Sequence, residues 1–440
     1  MSSLADRLRE VMTHARSEGR ALPATDEHRA AHVDISDGRG RPSGRPSTDA
    51  AETLGGEWRE LRGEQFLVID RKYPPGHRHG HVAVADTLPP ENRCWSRFPV
   101  LNGPAATATR DGRMLFVDLE TTGLAGGAGT YAFLVGCAWY QDGGLRVRQF
   151  FLSNFASERV LLEAVGEVAA LCGSVVTYNG KSFDLPLIET RFQLHRMETP
   201  FAGLAHVDML HPARRLWRQD PDDNDGSCRL GALEEVLCGH VREGDVPGFE
   251  IPSRYFHFVR TGDARGLAAV MEHNRLDLLS LAMLTARASQ LLEDGPPAAR
   301  TSREALGMGR LYERSGMNVE AREAFLRAAQ HSEADTITRA EAWRSYAVLS
   351  RRERRYAEAA EGWRRILELR RCPPAILREA TEALAVHHEH RARDLEAARA
   401  FALQSLSFAA TRSRQEATQH RLSRLDRKIG DSGPVLAQLF

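Results

Sequence analysis

The sequence predicts a mixed α/β sheet flanked by helices, followed by an all-α region of helical repeats. Three observations carry that prediction. The first is Met114-Leu-Phe-Val-Asp118-Leu-Glu120-Thr-Thr-Gly123, an apolar strand that brings two carboxylates to its end and runs into a glycine turn. The second is the element order after that strand: two strands joined by a hairpin signal, a helix, a strand and another helix, the pattern of a mixed sheet covered by helices. The third lies beyond Pro296-Pro297, where small and aromatic residues recur at fixed steps in helix-forming sequence.

In chain order, residues 1–55 read as a disordered or linker extension. A short helix is expected over 4–14, and Asp37-Gly-Arg-Gly-Arg-Pro-Ser-Gly-Arg-Pro-Ser47 has no apolar periodicity. Gln65-Phe-Leu-Val-Ile-Asp70 is a strand, and a loop carrying His77, His79 and His81 comes after it. The spacing of these histidines matches no metal site. Residues 131–140 and 145–152 are strands joined by Gln141-Asp-Gly-Gly144. Leu161, Leu162, Val165, Val168 and Leu171 fall at helical spacing, and Val175-Val-Thr-Tyr178 is another strand. A polar loop spans 217–226, and 265–292 reads as helical, in one piece or more. Pro296-Pro297 marks a boundary, so the α/β domain is placed at 56–295 and the helical repeats at 300–440. Ala321, Ala359 and Ala397 recur every 38 residues, with Phe325, Trp363 and Phe401 at one offset after each. The step exceeds the ~34 of a tetratricopeptide (TPR) repeat. TPR-like pairs with long turns are expected, with an ordinary helical bundle as the alternative.

Composition narrows the class. A chain of 440 residues suggests two or three domains, and 59 basic against 59 acidic residues leave no net charge to advertise a polyanion partner. The six cysteines show no Cys-x-x-Cys spacing, which argues against a zinc ribbon or disulfide framework and for a reducing compartment. No apolar run is long enough to cross a membrane, and the charged start lacks a secretory core. The expectation is a soluble cytoplasmic protein.

Alternation along a strand puts Asp118 and Glu120 on one face and Val117 and Leu119 on the other. Two adjacent carboxylates repel each other; they are either a pair of hard oxygen ligands suited to Mg²⁺ or Mn²⁺ or two acids at the end of a surface strand. A third acid, Asp184, stands where a strand gives way to a helix, with Pro186 just inside; it is either a helix cap or a partner of the first pair. His273 and Asp277, four apart, share a helix face.

Asp-x-Glu-Thr-Thr-Gly, then Tyr178-Asn-Gly-Lys-Ser-Phe-Asp184, then His273-Asn-Arg-Leu-Asp277, together with Gly129-Thr-Tyr-Ala-Phe-Leu-Val-Gly136 and His206-Val-Asp-Met-Leu210, resemble the DEDD superfamily of DnaQ-type 3′–5′ exonucleases. More narrowly they are similar to its YprB-like branch, in which an RNase-H-like domain precedes TPR-like repeats. The resemblance covers roughly residues 60–295. It implies that Asp118, Glu120, Asp184 and Asp277 bind two divalent cations and that His273 deprotonates or orients water. It also implies single-stranded DNA or RNA as substrate and a protein partner for the repeats. A non-catalytic adaptor and a structure-selective endonuclease are the alternatives. In the histidine subclass the histidine precedes the last aspartate by five positions; His273 precedes Asp277 by four, as in the tyrosine subclass. Secondary candidates for substrate contact are Thr121, Thr122, Leu124, Asn179, Lys181, Arg214 and Arg215. His206 and Asp208 are either structural or substrate-facing, and the histidine loop is expected near the nucleic-acid path.

Overall fold

The computed structural model describes residues 48–89, 96–102, 113–123, 129–218, 226–408 and 411–431. The helix expected over 4–14, the 37–47 stretch and Leu124 lie outside them. The described residues form one compact unit. Its elements are α1 (Thr48–Leu54), β1 (Glu57–Leu61), β2 (Glu64–Tyr73), β3 (Arg78–His79), β4 (Val82–Ala83), α2 (Phe98–Asn102), β5 (Arg113–Thr121), β6 (Ala132–Gln141) and β7 (Gly144–Phe151). Then come α3 (Glu158–Ala169), β8 (Cys172–Thr177), α4 (Asp184–Leu194), β9 (Ala205–Asp208), α5 (Leu210–Leu216), α6 (Leu230–Cys238), α7 (Ile251–Thr261) and α8 (Ala268–Asp294). The remainder is helical: α9 (Ser302–Arg314), α10 (Asn318–Gln330), α11 (Thr336–Arg352), α12 (Tyr356–Leu367), α13 (Pro374–His387), α14 (Leu395–Ser407) and α15 (Arg412–Asp431). Helix α1 buries Ala50 and Leu54, so the stretch read as an extension ends in packed structure.

Seven strands form one mixed sheet in the order β1-β2-β7-β6-β5-β8-β9. The first five in that order pair antiparallel; β8 and β9 join β5 in parallel. The β6–β7 connection is a two-residue turn with Asp142 and Gly143 both left-handed, at φ 52° and 73°, the twist that a tight hairpin needs. One face of the sheet, including Leu115, Val117 and Leu119, packs under α3, α4 and α7 through Leu161, Ile188, Phe192 and Tyr255. Helices α3 and α4 are pinned to each other by a buried ion pair, Arg191 Nη2 to Glu158 Oε2 at 2.5 Å, with the guanidinium over the Tyr131 ring.

The other face, with Met114, Phe116, Ala138, Tyr140 and Val147, packs under α8. The expected 265–292 helix is one short 3₁₀ turn followed by an unbroken 27-residue α-helix. This apolar cluster does not stop at the helix: it continues through Leu306, Leu311, Phe325, Trp343, Trp363 and Leu384 into the helical tail. A Cβ on Gly307 would come within 2.2 Å of the Arg215 carbonyl oxygen, and the Tyr312 hydroxyl donates to Leu292 O at 2.8 Å. Helix α9 is thereby seated directly on α5 and α8. Among the described residues no helix is long and apolar enough to cross a membrane.

Candidate active site

The register of the central strands builds the site. Asp118 on β5 lies opposite Gly136 on β6, which lies opposite Gln149 on β7. Helix α8 crosses this row so closely that a Cβ on Gly136 would sit 2.3 Å from Asn274 Oδ1 and 2.8 Å from Leu278 Cδ1. The bare backbone admits a relay of hydrogen bonds. Arg71 Nη1 donates to Gln149 Oε1 at 2.9 Å, Gln149 Nε2 to Asn274 Oδ1 at 2.9 Å, and Asn274 Nδ2 to Asp118 Oδ2 at 2.7 Å. Gln149 and Asn274 are fully buried, so each supplies the partner the other needs. Gly136→Ala is expected to lift α8 from the strand and cost about 1–3 kcal/mol as overpacking, measured by chemical denaturation. Gly→Ala at Gly166, where no atom lies within 4 Å, is the control.

The four sequence-predicted carboxylates lie near enough to act on one another's charge. Asp118 is pushed well above the ordinary aspartate range by burial and then by Asp277, Glu120 and Asp184, with only its bond from Asn274 opposing. Glu120 is raised by burial, then by Asp277, Asp184 and Asp245. Asp184 is pushed up to about 7 by burial, Asp208 and Asp277. It is the first residue of α4 and not its cap: Phe183 holds the cap position, without a side-chain bond. Asp277 is raised by burial, against the pull of Arg242 and His273. Acids arranged to hinder each other's ionisation are the expected state of a hard-oxygen cation site without its cations. The donor set fits Mg²⁺ or Mn²⁺.

One cation of the protein's own reaches into this cluster. Arg242 donates from Nη2 to Asp277 Oδ1 at 2.6 Å, from Nε to Glu234 Oε2 at 2.5 Å and from Nη1 to Asp245 Oδ2 at 3.3 Å. His273 lies between two acids, its Nδ1 2.6 Å from Asp245 Oδ1 and its Nε2 3.6 Å from Asp277 Oδ2. Asp245 thus orients the imidazole while Nε2 faces the acid cluster. Sequence reasoning misses Asp245, although it directly precedes Val246-Pro-Gly248; a lone aspartate in a loop has no periodicity to give it away.

Asp208 is structural: its Oδ1 accepts from the backbone N–H of Asn179 at 2.7 Å and of Leu210 at 3.1 Å, and Oδ2 from Lys181 N at 3.0 Å. It holds the loop ahead of Asp184, where Asn179 is left-handed at φ 65°. His206 meets Thr177 Oγ1 at 2.8 Å and is pushed down to about 4 by burial, which keeps it neutral. Thr121 Oγ1 donates to Gly123 O at 3.0 Å, and Thr122 Oγ1 accepts from Tyr131 N at 2.9 Å, so both hydroxyls brace the turn after β5. Lys181 Nζ donates to Asn102 Oδ1 at 2.7 Å. Arg214 and Arg215 join Arg218, Arg303 and Arg310 around a cavity of about 250 Å³ between α5 and the tail. His79 departs from the expected open loop: it is buried, with Nε2 2.6 Å from Glu234 Oε1 and 3.1 Å from Ser280 Oγ.

A family model described as the RNase_H superfamily matches residues 115–289, the stretch that holds all four acids and His273. The chain is also 32% identical over 371 residues to the uncharacterized protein YprB of Bacillus subtilis (strain 168), an alignment covering 83% of this chain and 86% of YprB. Residues 115–289 thus form an RNase_H superfamily domain, and the chain belongs to one family with YprB.

Proposed function

We propose that this protein is a metal-dependent nuclease of the DEDD type, hydrolysing phosphodiester bonds from the 3′ end of single-stranded DNA or RNA. The observation that supports it most is the convergence of Asp118, Glu120, Asp184 and Asp277 beneath an oriented His273. Two divalent cations held by these acids would supply an activated water and charge neutralisation at the leaving oxygen. The chain's own residues do the rest. Asn274 fixes the Asp118 carboxylate, and Asp245 holds the His273 ring so that Nε2 is presented toward Asp277 to take the proton of the attacking water. The 3′ polarity rests on the resemblance to DnaQ-type exonucleases.

The strand's path has a charge argument. Lys181 has its basicity depressed by burial and by Arg314, and Arg215 by burial, Arg314 and Arg310. Cations that weaken each other lie close together and gain when a phosphate arrives between them. They lead from the loop before Asp184 to the arginine cavity. Arg310→Glu is expected to weaken single-strand binding and to flatten its salt dependence by about one unit of slope, read by fluorescence anisotropy from 50 to 200 mM salt.

In the tail, Ala321, Phe325, Ala359 and Trp363 are buried at matching places in α10 and α12, and Ala397 and Phe401 are partly buried in α14. We read these as TPR-like pairs that receive a protein partner, in a cytoplasmic enzyme. The test of the activity is degradation of 5′-labelled single-stranded DNA and RNA with Mn²⁺ or chelator. A metal-dependent ladder shortening from the 3′ end supports the exonuclease. Internal cuts would replace it with an endonuclease, and binding without cleavage with an adaptor.

A further inference from the structure

A second candidate metal site lies beside the acid cluster, and its ligands come from two widely separated parts of the chain. His79 is on β3, Glu234 on α6 and His240 just beyond α6; one ligand atom from each lies within 4.8 Å of the others. Glu234 Oε1 is 2.6 Å from His79 Nε2 and 3.8 Å from His240 Nε2. Glu234 is wholly buried, and the near contact of this oxygen is the His79 ring nitrogen. A buried carboxylate needs a partner at each oxygen. Here it points at two imidazole nitrogens.

The backbone is built to bring the two histidines together. Each stands next to a left-handed glycine, Gly80 at φ 61° and Gly239 at φ 67°. A Cβ on Gly80 would lie 1.9 Å from Cys238 O, and one on Gly239 would lie 2.8 Å from His81 Nδ1. The backbone N–H of His81 donates to Cys238 O at 2.7 Å, locking the hairpin to the end of α6. The His79 and His240 rings stack with centroids 4.3 Å apart. The second Glu234 oxygen is held by Arg242, as metal-bound carboxylates are usually held from behind.

We infer that His79, Glu234 and His240 bind a transition-metal ion, Zn²⁺ by the chemistry of the donors. Two imidazoles and one carboxylate match the His₂Glu set of three-ligand zinc sites and discriminate against Mg²⁺, which takes oxygen. His240, with 30% of its side chain exposed, opens the remaining position to water. The ion clamps the 78–83 hairpin and the 238–245 segment to each other. Arg242 carries that clamp to Asp277, so the site sets the position of one acid of the first cluster. Metal binding here does not depend on the nuclease activity.

The test is metal binding by the full chain after chelator stripping, with Co²⁺ followed by visible absorbance and Zn²⁺ by competition. Wild type and Asp118→Asn/Glu120→Gln are expected to take up one tight equivalent each. His240→Gln, partly exposed and folded by circular dichroism, is expected to bind at least ~10-fold more weakly. Zn²⁺ should also protect His240 of wild type from diethylpyrocarbonate, a readout that needs no variant. Equal affinity in His240→Gln and wild type, loss of the tight equivalent in the Asp118/Glu120 variant, absence of Zn²⁺ binding, or modification of His240 unaffected by Zn²⁺ would each overturn the assignment.

Discussion

Asp118→Asn/Glu120→Gln is expected to lose hydrolysis by roughly 10³-fold or more and at the same time to unfold at a higher temperature than wild type in metal-free buffer. The loss follows from the proposed function, in which several kcal/mol of transition-state charge stabilisation would come from cations on these acids. The gain comes from the same crowding. Asp118, Glu120 and Asp184 have folded-state affinities for protons raised above their unfolded values, Asp184 to about 7. Between the ordinary aspartate value of 3.8 and that raised one, the native state holds more protons than the unfolded state. Wild-type stability without divalent ions must therefore fall as pH rises through this window, and go on falling above it for as long as Asp118 or Glu120 keeps its proton. Mn²⁺ should restore it by binding the folded, ionised cluster, with the larger melting shift at pH 8 than at pH 5. The neutral variant should show a flatter pH profile and a smaller Mn²⁺ shift. A double variant that melts lower than wild type at pH 8 without metal would show that the acids do not oppose each other.

The second large effect is expected at Arg242. With its side chain 9% exposed, this guanidinium bonds Glu234, Asp245 and Asp277. Removing one member of a buried charge network leaves the others desolvated and uncompensated, at a cost of about 3–5 kcal/mol. Arg242→Met should lower stability by that amount in metal-free buffer, and Asp277, which Arg242 now holds down, should take up a proton at higher pH. Mn²⁺ should recover more stability in this variant than in wild type, because Asp277 no longer has a competing cation. Arg242→Lys keeps the charge but cannot reach three carboxylates with a planar fork, so it should fall between the two. Thermal melts with and without Mn²⁺ read all three proteins. Arg242→Met as stable as wild type would mean that the ion pairs are replaceable by water.

The parts of the site that are legible in the sequence are those with a local period. Asp118 and Glu120 declare a shared face by alternation, and His273 and Asp277 by one helical turn. The mixed sheet is legible for the same reason, since β5, β6 and β7 are apolar runs punctuated by glycine turns. The hidden parts are made by tertiary approach. Asn274 lies inside the His273-Asn-Arg-Leu-Asp277 stretch, yet its bond to Asp118 becomes visible only when Gly136 lets α8 descend on the strand. Asp245 and Arg242 belong to a loop with no pattern. The three-histidine loop matches no metal site by its own spacing, and that spacing is the wrong quantity: His79 finds Glu234 and His240 far downstream in the chain. Asp184 shows the converse limit. Its local sequence reads first as a helix cap and only beside the other acids as a site residue, and the start of α4 at Asp184 itself takes it out of the cap position.

Pro296-Pro297 punctuates the sequence as though two cassettes had been joined there, but the apolar cluster under the sheet runs across that seam to Leu384. For gene exchange this matters. A crossover at the prolines would divide one core between two parents, and a transplanted tail would have to arrive with a glycine at 307, where the Arg215 carbonyl leaves no room, and with apolar residues matching 306 and 311. The α/β half and the helical half are thereby constrained to be inherited together.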